Sequence, residues 1–139
     1  MIRTSFLIFT NLLILINMYS EKDKIIQSVK TYIAAGDSRN AAQLDTVLYS
    51  NFRAVFNQLL GSNEVKIVSK ELYLQLIADG KLGGDSRSVD ILAVDIVENN
   101  ATVKAKLKGE TLTFESFYQL IKVNGSWQLI QDLPFATKN

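Results

Sequence analysis

The fold is decided by residues 89–133, which read VDILAVDIVENNATVKAKLKGETLTFESFYQLIKVNGSWQLIQDL. Three dipeptides that suit tight hairpin turns interrupt this stretch: Asn99-Asn100, Gly109-Glu110 and Asn124-Gly125. They separate four segments in which apolar and polar residues largely alternate, as they do in strands with one buried face. The sequence therefore predicts a four-stranded antiparallel meander.

Counting outward from the turns predicts which side chains share a face of this sheet. The pairs nearest the turns are Glu98 with Ala101, Lys108 with Thr111, and Val123 with Ser126. The face expected to form the core then carries Leu92, Val94, Ile96, Val103, Ala105, Leu107, Leu112, Phe114, Leu120, Trp127 and Leu129. A bulge within residues 111–123 would shift the far end of that strand by one residue and invert the assignment locally.

The opposite face is predicted to place Asp95 beside Lys104, and Lys104 beside Glu115, as cross-strand ion pairs. It also carries five apolar residues: Ile91, Val97, Phe117, Ile121 and Ile130. A solvated face rarely exposes that much apolar surface. We therefore expect a partner to cover this face, and interpret the five residues as the interface of a homodimer.

Three helices are predicted upstream of the meander. The first spans about residues 22–35, with a capping pattern at Ser20 and Asp23 and a terminating Gly36. The second is short and is capped by Asp37 or Ser38. The third begins after Ser69 and is closed by Gly80, and it turns four residues inward: Leu72, Tyr73, Leu76 and Ile77.

Two short strands, 52–56 and 64–68, are predicted between the second and third helices, and residues 79–88 are expected to form a loop. The expected fold class is α+β, with the helices packed in the concave face of a curved, mostly antiparallel sheet. Residues 21–139 would form one domain, because a chain of 139 residues is close to the usual size of a single domain.

Residues 1–20 differ from the remainder. Arg3 precedes an apolar run from Phe6 to Ile16, which fits the apolar region of a secretory signal and is shorter than the roughly 20 residues of a spanning helix. This pattern predicts an exported protein without stable membrane insertion. Two alternatives stay open: translation from Met18 in a cytoplasmic protein, and an uncleaved buried or interfacial helix.

Composition excludes several classes of function. The chain has no His and no Cys, so the commonest general base and the thiol nucleophile are both missing. Fifteen basic and fourteen acidic residues give a formal net charge of +1, which offers no bulk attraction for nucleic acid. No metal, cofactor or nucleic-acid partner is predicted.

The order of elements resembles the nuclear transport factor 2-like (NTF2-like, cystatin-like cone) superfamily, and within it the small bacterial proteins grouped as lumazine-binding or SnoaL-like. The similarity covers about residues 22–133. It is carried by Tyr32-Ile33 and Gly36-Asp37, by Leu44 and Leu48 before Phe52, by the segment 69–73, and by Trp127. The resemblance implies a cone with a cavity and dimerisation through sheet faces.

Enzymes of that superfamily use an Asp and His pair, a Tyr with two Asp, or an Asp, Arg, Asp set. The first set is impossible here without His, and no residue of this chain can be matched to the other two. No catalytic residue is therefore predicted from the resemblance.

The candidate ligand site lies inside the predicted cone. Tyr118 is expected to point inward opposite Gln131, with Ser116 on the same face. Tyr32 and Tyr73 would join from the helices, and Trp127 would supply a flat wall. Unpaired buried polar groups cost about 1 to 3 kcal/mol each, so these side chains either satisfy one another and buried water or form the polar end of a ligand cavity.

Three functions are compatible with these features. The first is a non-catalytic domain whose apolar cavity binds a small hydrophobic or aromatic molecule. The second is an isomerase or hydrolase that uses a buried carboxylate, Asp45 or Asp132, together with tyrosines. The third is a dimeric interaction module whose cavity is filled by its own side chains.

Overall fold

The computed structural model describes residues 21–139. The chain is helical through residues 21–37 (α1) and again in α2 (Ala41–Val47), and both predicted helices are confirmed. Strand β1 (Leu48–Asn57), a 3₁₀ turn (Leu59–Gly61), strand β2 (Val65–Ser69) and helix α3 (Lys70–Ala78) follow. The predicted signal segment and the capping residue Ser20 lie outside the described residues.

The remainder of the chain forms four long strands. These are β3 (Ser88–Val97), β4 (Asn100–Lys108), β5 (Leu112–Val123) and β6 (Ser126–Lys138). They form the predicted meander, but β1 also pairs with β6, so one sheet contains all six strands in the order β2-β1-β6-β5-β4-β3. Among the strand pairs within residues 21–139, only β1–β6 is parallel.

The core lies between the helices and the inner face of the sheet. Ile25, Val29 and Ile33 recur at helical spacing on α1 and are buried there. The alternate residues Val103, Ala105 and Leu107 of β4 are fully buried against the helical layer, as the strand period predicts. The inner face of the sheet and one stripe of each helix therefore share one hydrophobic core.

The helix ends differ in part from the prediction. Gly36 stays within α1, and the left-handed residue that follows the helix is Arg39, with φ 54°. Because α1 runs on to residue 37, the cap of α2 moves to Asn40, whose side chain accepts from Gln43 N at 3.1 Å. Ser69 caps α3 as predicted, whereas Leu72 of that helix is 48% exposed instead of buried.

The turns keep the predicted faces but not all of the predicted pairs. Val123 pairs with Ser126 as expected, while Val97 pairs with Asn100 and Lys108 with Thr113. Each of the two changes moves the partner by an even number of residues, so the inward side chains of β4 stay inward.

The predicted ladder of charges on the outer face is wrong. Asp95 pairs with Thr102, and Glu115 pairs with Lys106. Lys104 lies opposite Phe117, with its Nζ 5.7 Å from the ring centroid, a cation–π contact instead of an ion pair. The shifted turns account for these changes, because they move each cross-strand partner along the strand.

Two bulges invert the faces locally. Leu92 is the extra residue in β3; it is 45% exposed instead of buried, while Ile91, predicted on the outer face, packs against the core. Ile130 is the extra residue in β6, between the Leu120–Leu129 and Gln119–Gln131 pairs. The sequence allows a bulge in β5, but the extra residue lies in the neighbouring strand.

Candidate functional site

A cavity of about 380 Å³ lies between the helices and the inner face of the sheet. Its base contains buried polar side chains from α1, β5 and β6, and Phe56 and Phe114 contribute aromatic walls. Its rim includes the exposed Lys81, Glu110 and Thr111. The arrangement is apolar walls around a polar base, which is the usual composition of a small-molecule site.

The base is centred on Asp132, which is only 7% exposed. The Tyr32 hydroxyl donates to Oδ2 of Asp132 at 2.7 Å, and the hydroxyls of Tyr32 and Tyr73 are 3.0 Å apart. A phenol has a single proton, so when Tyr32 donates to the carboxylate, Tyr73 donates to Tyr32. Three elements, α1, α3 and β6, are thus joined by one buried hydrogen-bonded chain.

Ring packing fixes these tyrosines. Tyr32 stacks on Tyr73 with 5.9 Å between centroids and meets Tyr118 edge-on at 5.7 Å. Phe52 packs edge-on against Tyr73 at 5.6 Å. Edge-on and offset contacts between buried rings stabilise their orientation. The hydroxyls at the base of the cavity are therefore held in place before any ligand arrives.

The carboxyl group of Asp132 has an unusual environment. Burial raises its pKa from the ordinary 3.8 to about 6, although the hydrogen bond from Tyr32 and the charge of Arg87 act in the opposite direction. Its Oδ1 is the one buried side-chain nitrogen or oxygen without a hydrogen-bond partner among residues 21–139. Both protonation states of Asp132 are therefore accessible near neutral pH.

The surrounding tyrosines remain neutral donors. Burial is the largest cause that raises the pKa of Tyr73 to about 12, and it lifts the pKa values of Tyr32 and Tyr118 well above their ordinary range. The charge of Asp132 acts in the same direction on all three. The base of the cavity thus combines neutral phenols with one titratable carboxyl group.

A partly buried ion pair lines the cavity nearer its rim. Arg87 Nε lies 2.7 Å from Oδ1 of Asp37 at the end of α1, and the backbone N–H of Arg87 donates to Oδ2 at 3.0 Å. The guanidinium carbon lies 5.1 Å from the centroid of the Phe114 ring. Arg87 is therefore held both by a carboxylate and by an aromatic face.

The loop that carries Arg87 is packed tightly on the end of α1. Arg39 donates from Nε to Leu82 O at 3.2 Å and from Nη2 to Gly83 O at 3.0 Å. A Cβ atom at Gly83 would lie 2.1 Å from Gly36 O, and Gly83 has φ +75°, so the position requires glycine. Farther along, Asp85 Oδ2 accepts from Glu110 N at 3.2 Å. Both sides of the rim are thus fixed by hydrogen bonds.

Four of the six predicted ligand-site residues line this cavity: Tyr32, Tyr73, Ser116 and Tyr118. Trp127 does not; its Nε1 donates to Glu21 Oε2 at 2.8 Å, at the start of α1. Gln131 lies on the outer face, where its Oε1 accepts from Arg53 Nε at 2.8 Å. The β6 bulge places Asp132 opposite Tyr118, in the position predicted for Gln131.

Sequence reasoning missed Arg87 and Asp37. They lie 50 positions apart in the chain, and no local pattern signals their contact. It considered Asp132 only as a possible catalytic carboxylate. A bulge placed in β6 would have turned Asp132 inward and identified it.

The predicted dimer face is brought together in part. Val97, Ile121 and Ile130 line one shallow depression on the outer face, where Val97 is 71% exposed. Phe117 lies on the same side of β5 and is 47% exposed. Ile91 is the exception, because the β3 bulge turns it toward the core.

The sequence matches a family model described as "Putative lumazine-binding" over residues 20–133. The chain belongs to this family. A search of curated proteins found no match. Residues 20–133 include every residue that lines the cavity except Pro134, so the family match covers nearly all of the candidate site.

Solved structures confirm that the domain has an NTF2-like fold. An NTF2-like protein of unknown function from Shewanella baltica has a TM-score of 0.75 at 15% identity, with 87% of this chain and 97% of that one covered. An NTF2-like protein from Cytophaga hutchinsonii has a TM-score of 0.67 at 19% identity, with coverages of 84% and 98%. A protein with a cystatin-like fold from Nostoc punctiforme also has a TM-score of 0.67, at 16% identity, with coverages of 84% and 90%.

Residues 21–139 lack both a membrane-spanning helix and a cluster of metal-binding side chains. No helix in this part of the chain is long and apolar enough to cross a membrane. The same residues contain no group of three or more His, Cys, Asp or Glu side chains that could hold a metal ion.

Proposed function

We propose that this chain is a non-catalytic binding domain whose cavity holds a small hydrophobic or aromatic molecule. The observation that carries the proposal is the hydrogen-bonded cluster of Asp132, Tyr32 and Tyr73 at the base of a cavity of about 380 Å³ with aromatic walls. Ligand sites commonly have volumes of about 300 to 1,000 Å³ and a few fixed polar groups.

The cost of keeping Asp132 at this position supports the same proposal. A buried carboxyl group with a partner for only one oxygen destabilises a fold, and an apolar residue would fill the space without that cost. Polar groups kept at such a cost are concentrated at functional sites. The family description makes lumazine, a flat heteroaromatic molecule, the first compound to test.

The proposal is tested by screening lumazine and other flat aromatic compounds for thermal stabilisation. A compound present at 100 times its dissociation constant is expected to add about 2.7 kcal/mol to the free energy of unfolding. NMR should then show shifts for the amides of Ser116, Tyr118 and Asp132 and none for β2. Tyr118→Phe should weaken binding, whereas Tyr49→Phe, which removes a hydroxyl outside the cavity lining, should not.

The NMR map decides the outcome. Stabilisation by no compound in the screen, or shifts confined to surfaces away from the cavity, would contradict the binding function.

A second candidate function is an isomerase or hydrolase acting on a small hydrophobic substrate. It is favoured by the pKa of about 6 at Asp132, because a general base works best when its pKa lies near the working pH. Ligands found in the screen should be incubated with the protein in D₂O and analysed by NMR. Deuterium incorporation or a new product that disappears in Asp132→Asn would support the enzyme, and recovery of unchanged ligand would support the binding domain.

We also propose a homodimer that forms through the outer sheet face, with Val97, Phe117, Ile121 and Ile130 at its centre. The support is the exposure of Phe117 and Val97 and the shared depression that three of the four residues line. Ile91 is omitted because its side chain packs against the core. The oligomeric mass tests this assignment.

Export is proposed on the apolar run from Phe6 to Ile16 after Arg3. The N-terminal residue of protein purified from its native host tests it. A start at Glu21 or nearby supports export, Met18 supports the cytoplasmic alternative, and an intact Met1 contradicts cleavage.

A further inference from the structure

Arg87 has hydrogen-bonding capacity that the protein does not use. Its Nε is bound to Asp37, but Nη1 and Nη2 make no hydrogen bond to any residue in 21–139. Within that range, the one buried side-chain nitrogen or oxygen that lacks a hydrogen-bond partner is Oδ1 of Asp132. Because Nη1 and Nη2 of Arg87 also lack a partner, both must be accessible to solvent. Because Arg87 lines the cavity, these nitrogens are open to a bound molecule.

The guanidinium is also held in one orientation. Asp37 accepts from both the side chain and the backbone N–H of Arg87, and the ring of Phe114 lies against the guanidinium carbon. A guanidinium fixed through Nε presents its two terminal nitrogens as a flat, forked pair of donors. That geometry matches the two oxygens of a carboxylate.

We propose that the ligand of this cavity is a small aromatic acid whose carboxylate binds the two terminal nitrogens of Arg87. Its ring lies among the aromatic walls formed by Phe56, Phe114 and the tyrosines of the base. This inference rests on the proposed binding function and names the ligand class. It adds an anchoring role for Arg87.

The other charges around the cavity are compatible with an anion. The charge of Asp37 is neutralised by Arg87 itself. Asp85 and Glu110 lie near the solvent at the rim, together with the cation Lys81, where solvent screens their charges. The tyrosines of the base are neutral because their pKa values are raised.

Asp132 is the remaining negative charge, and its titration should make the affinity for an aromatic acid depend on pH. An anion on Arg87 disfavours the ionised form of Asp132, so binding raises a pKa that is already about 6 and takes up a proton. The affinity for an aromatic acid should therefore be highest between the pKa of the ligand's own carboxyl group and about pH 6, and fall as the pH rises above that value. A neutral ligand lacks this coupling.

The experiment compares naphthoate with naphthamide by isothermal titration calorimetry, because the two share a ring system and differ in charge. Naphthoate is expected to bind the wild-type protein at least about tenfold more tightly at pH 6, since hydrogen bonds to charged groups are the stronger ones. Arg87→Gln should abolish this preference. Lys106→Gln, which removes an exposed cation outside the cavity lining, should preserve it.

Two further variants separate binding from folding. Arg87→Gln leaves Asp37 unpaired, so the double variant Asp37→Asn/Arg87→Gln is also measured, because it removes both partners of the ion pair. The double variant should be folded by its thermal melting curve and should also lack the preference. Asp132→Asn should bind naphthoate with little dependence on pH between 6 and 8.

The outcomes are distinct. Equal affinity for naphthoate and naphthamide, or binding of neutral compounds alone, would overturn the carboxylate assignment and leave the binding function standing. Binding of no compound from the panel or the wider screen would overturn both. A preference for naphthoate that survives in the folded double variant would overturn the role of Arg87.

Discussion

The base of the cavity and the outer face of the sheet depart from the usual distribution of polarity in opposite directions. At the base, the carboxyl group of Asp132 is buried among tyrosines. On the outer face, the large apolar side chains of Phe117 and Val97 are exposed. Both arrangements cost free energy in an isolated chain, because buried charge and exposed apolar surface are each unfavourable.

The two regions share β5, whose side chains alternate between them. Ser116 and Tyr118 are buried on the inner side, and Phe117 between them is exposed on the outer side. One strand therefore serves a proposed ligand site with one face and a proposed interface with the other. Each face is unfavourable without a partner, so a ligand is expected on the inner side and a second subunit on the outer side.

Removal of the Tyr32 hydroxyl is expected to have the largest effect. Tyr32→Phe removes the 2.7 Å hydrogen bond to the buried carboxylate of Asp132, so we expect a loss of about 3 kcal/mol in the free energy of unfolding at pH 8. The loss should be smaller at pH 4, where Asp132 is neutral. Denaturant titrations at both pH values measure the difference, with Tyr49→Phe as the control.

An equal loss of stability at pH 4 and pH 8 would contradict a charged carboxylate at the base of the cavity. The contrast between the two regions would then rest on packing alone.

Asp132→Asn is expected to stabilise the protein by about 2 kcal/mol at pH 8. The folded-state pKa of about 6 lies above the ordinary 3.8, so the folded protein binds more protons between those values and loses stability as the pH rises from about 4 to about 6. The difference between these two pKa values corresponds to an upper limit of roughly 3 kcal/mol in the free energy of unfolding, at 1.36 kcal/mol per pKa unit. Asparagine removes that dependence, so the gain should vanish near pH 4.

Denaturation profiles from pH 4 to pH 8 test this prediction. The exposed Asp95→Asn serves as the control and should change neither the stability nor its pH dependence. If the stability of the wild-type protein instead increases as the pH rises through 6, a group other than Asp132 dominates the pH dependence of unfolding.

Phe117→Glu tests the outer face. A charge at the centre of the proposed interface should raise the dimer dissociation constant at least tenfold, equivalent to about 1.4 kcal/mol. Analytical ultracentrifugation measures the mass. Leu72→Glu, which changes a residue of nearly equal exposure on α3, should leave the mass unchanged. A Phe117→Glu protein with unaltered self-association would contradict a dimer interface on the outer face.

Gly36→Ala is expected to have the smallest effect. Gly36 is buried and helical, yet a Cβ atom there would meet nothing within 4 Å because the residue borders the cavity. Alanine favours the helical state, so we expect a gain of about 0.5 kcal/mol in thermal or denaturant unfolding. Gly125 also has open space but φ +79°, and Gly125→Ala should destabilise. Destabilisation by Gly36→Ala would mean that the cavity is occupied by protein.

Much of the secondary structure could be predicted from local patterns. The meander, the strands around 52–56 and 64–68, and the Ser69 cap are confirmed, because turn residues, alternation and capping act over a few positions. The predicted turn at Asn99-Asn100 was displaced, but without consequence for the faces. An even shift in pairing preserves which side chains point inward.

The candidate site was predicted less completely. Four tyrosine and serine positions line the cavity, but Gln131 and Trp127 lie elsewhere. The failure at Gln131 comes from one extra residue, Ile130, which no turn signal marks. Arg87 was not predicted as a site residue because its partner Asp37 is distant in the chain.

The sequence by itself determined the four-stranded meander, the helices and most of their buried faces, since periodicity and turn chemistry are local properties. The NTF2-like fold was implied by the resemblance in the order of elements. The tertiary structure decided which side chains of β3 and β6 face inward on the far side of each bulge. A bulge forms where the sheet bends around the helices, and that bend depends on packing between distant elements. Through it, Asp132 instead of Gln131 faces the cavity, and Ile91 leaves the outer face.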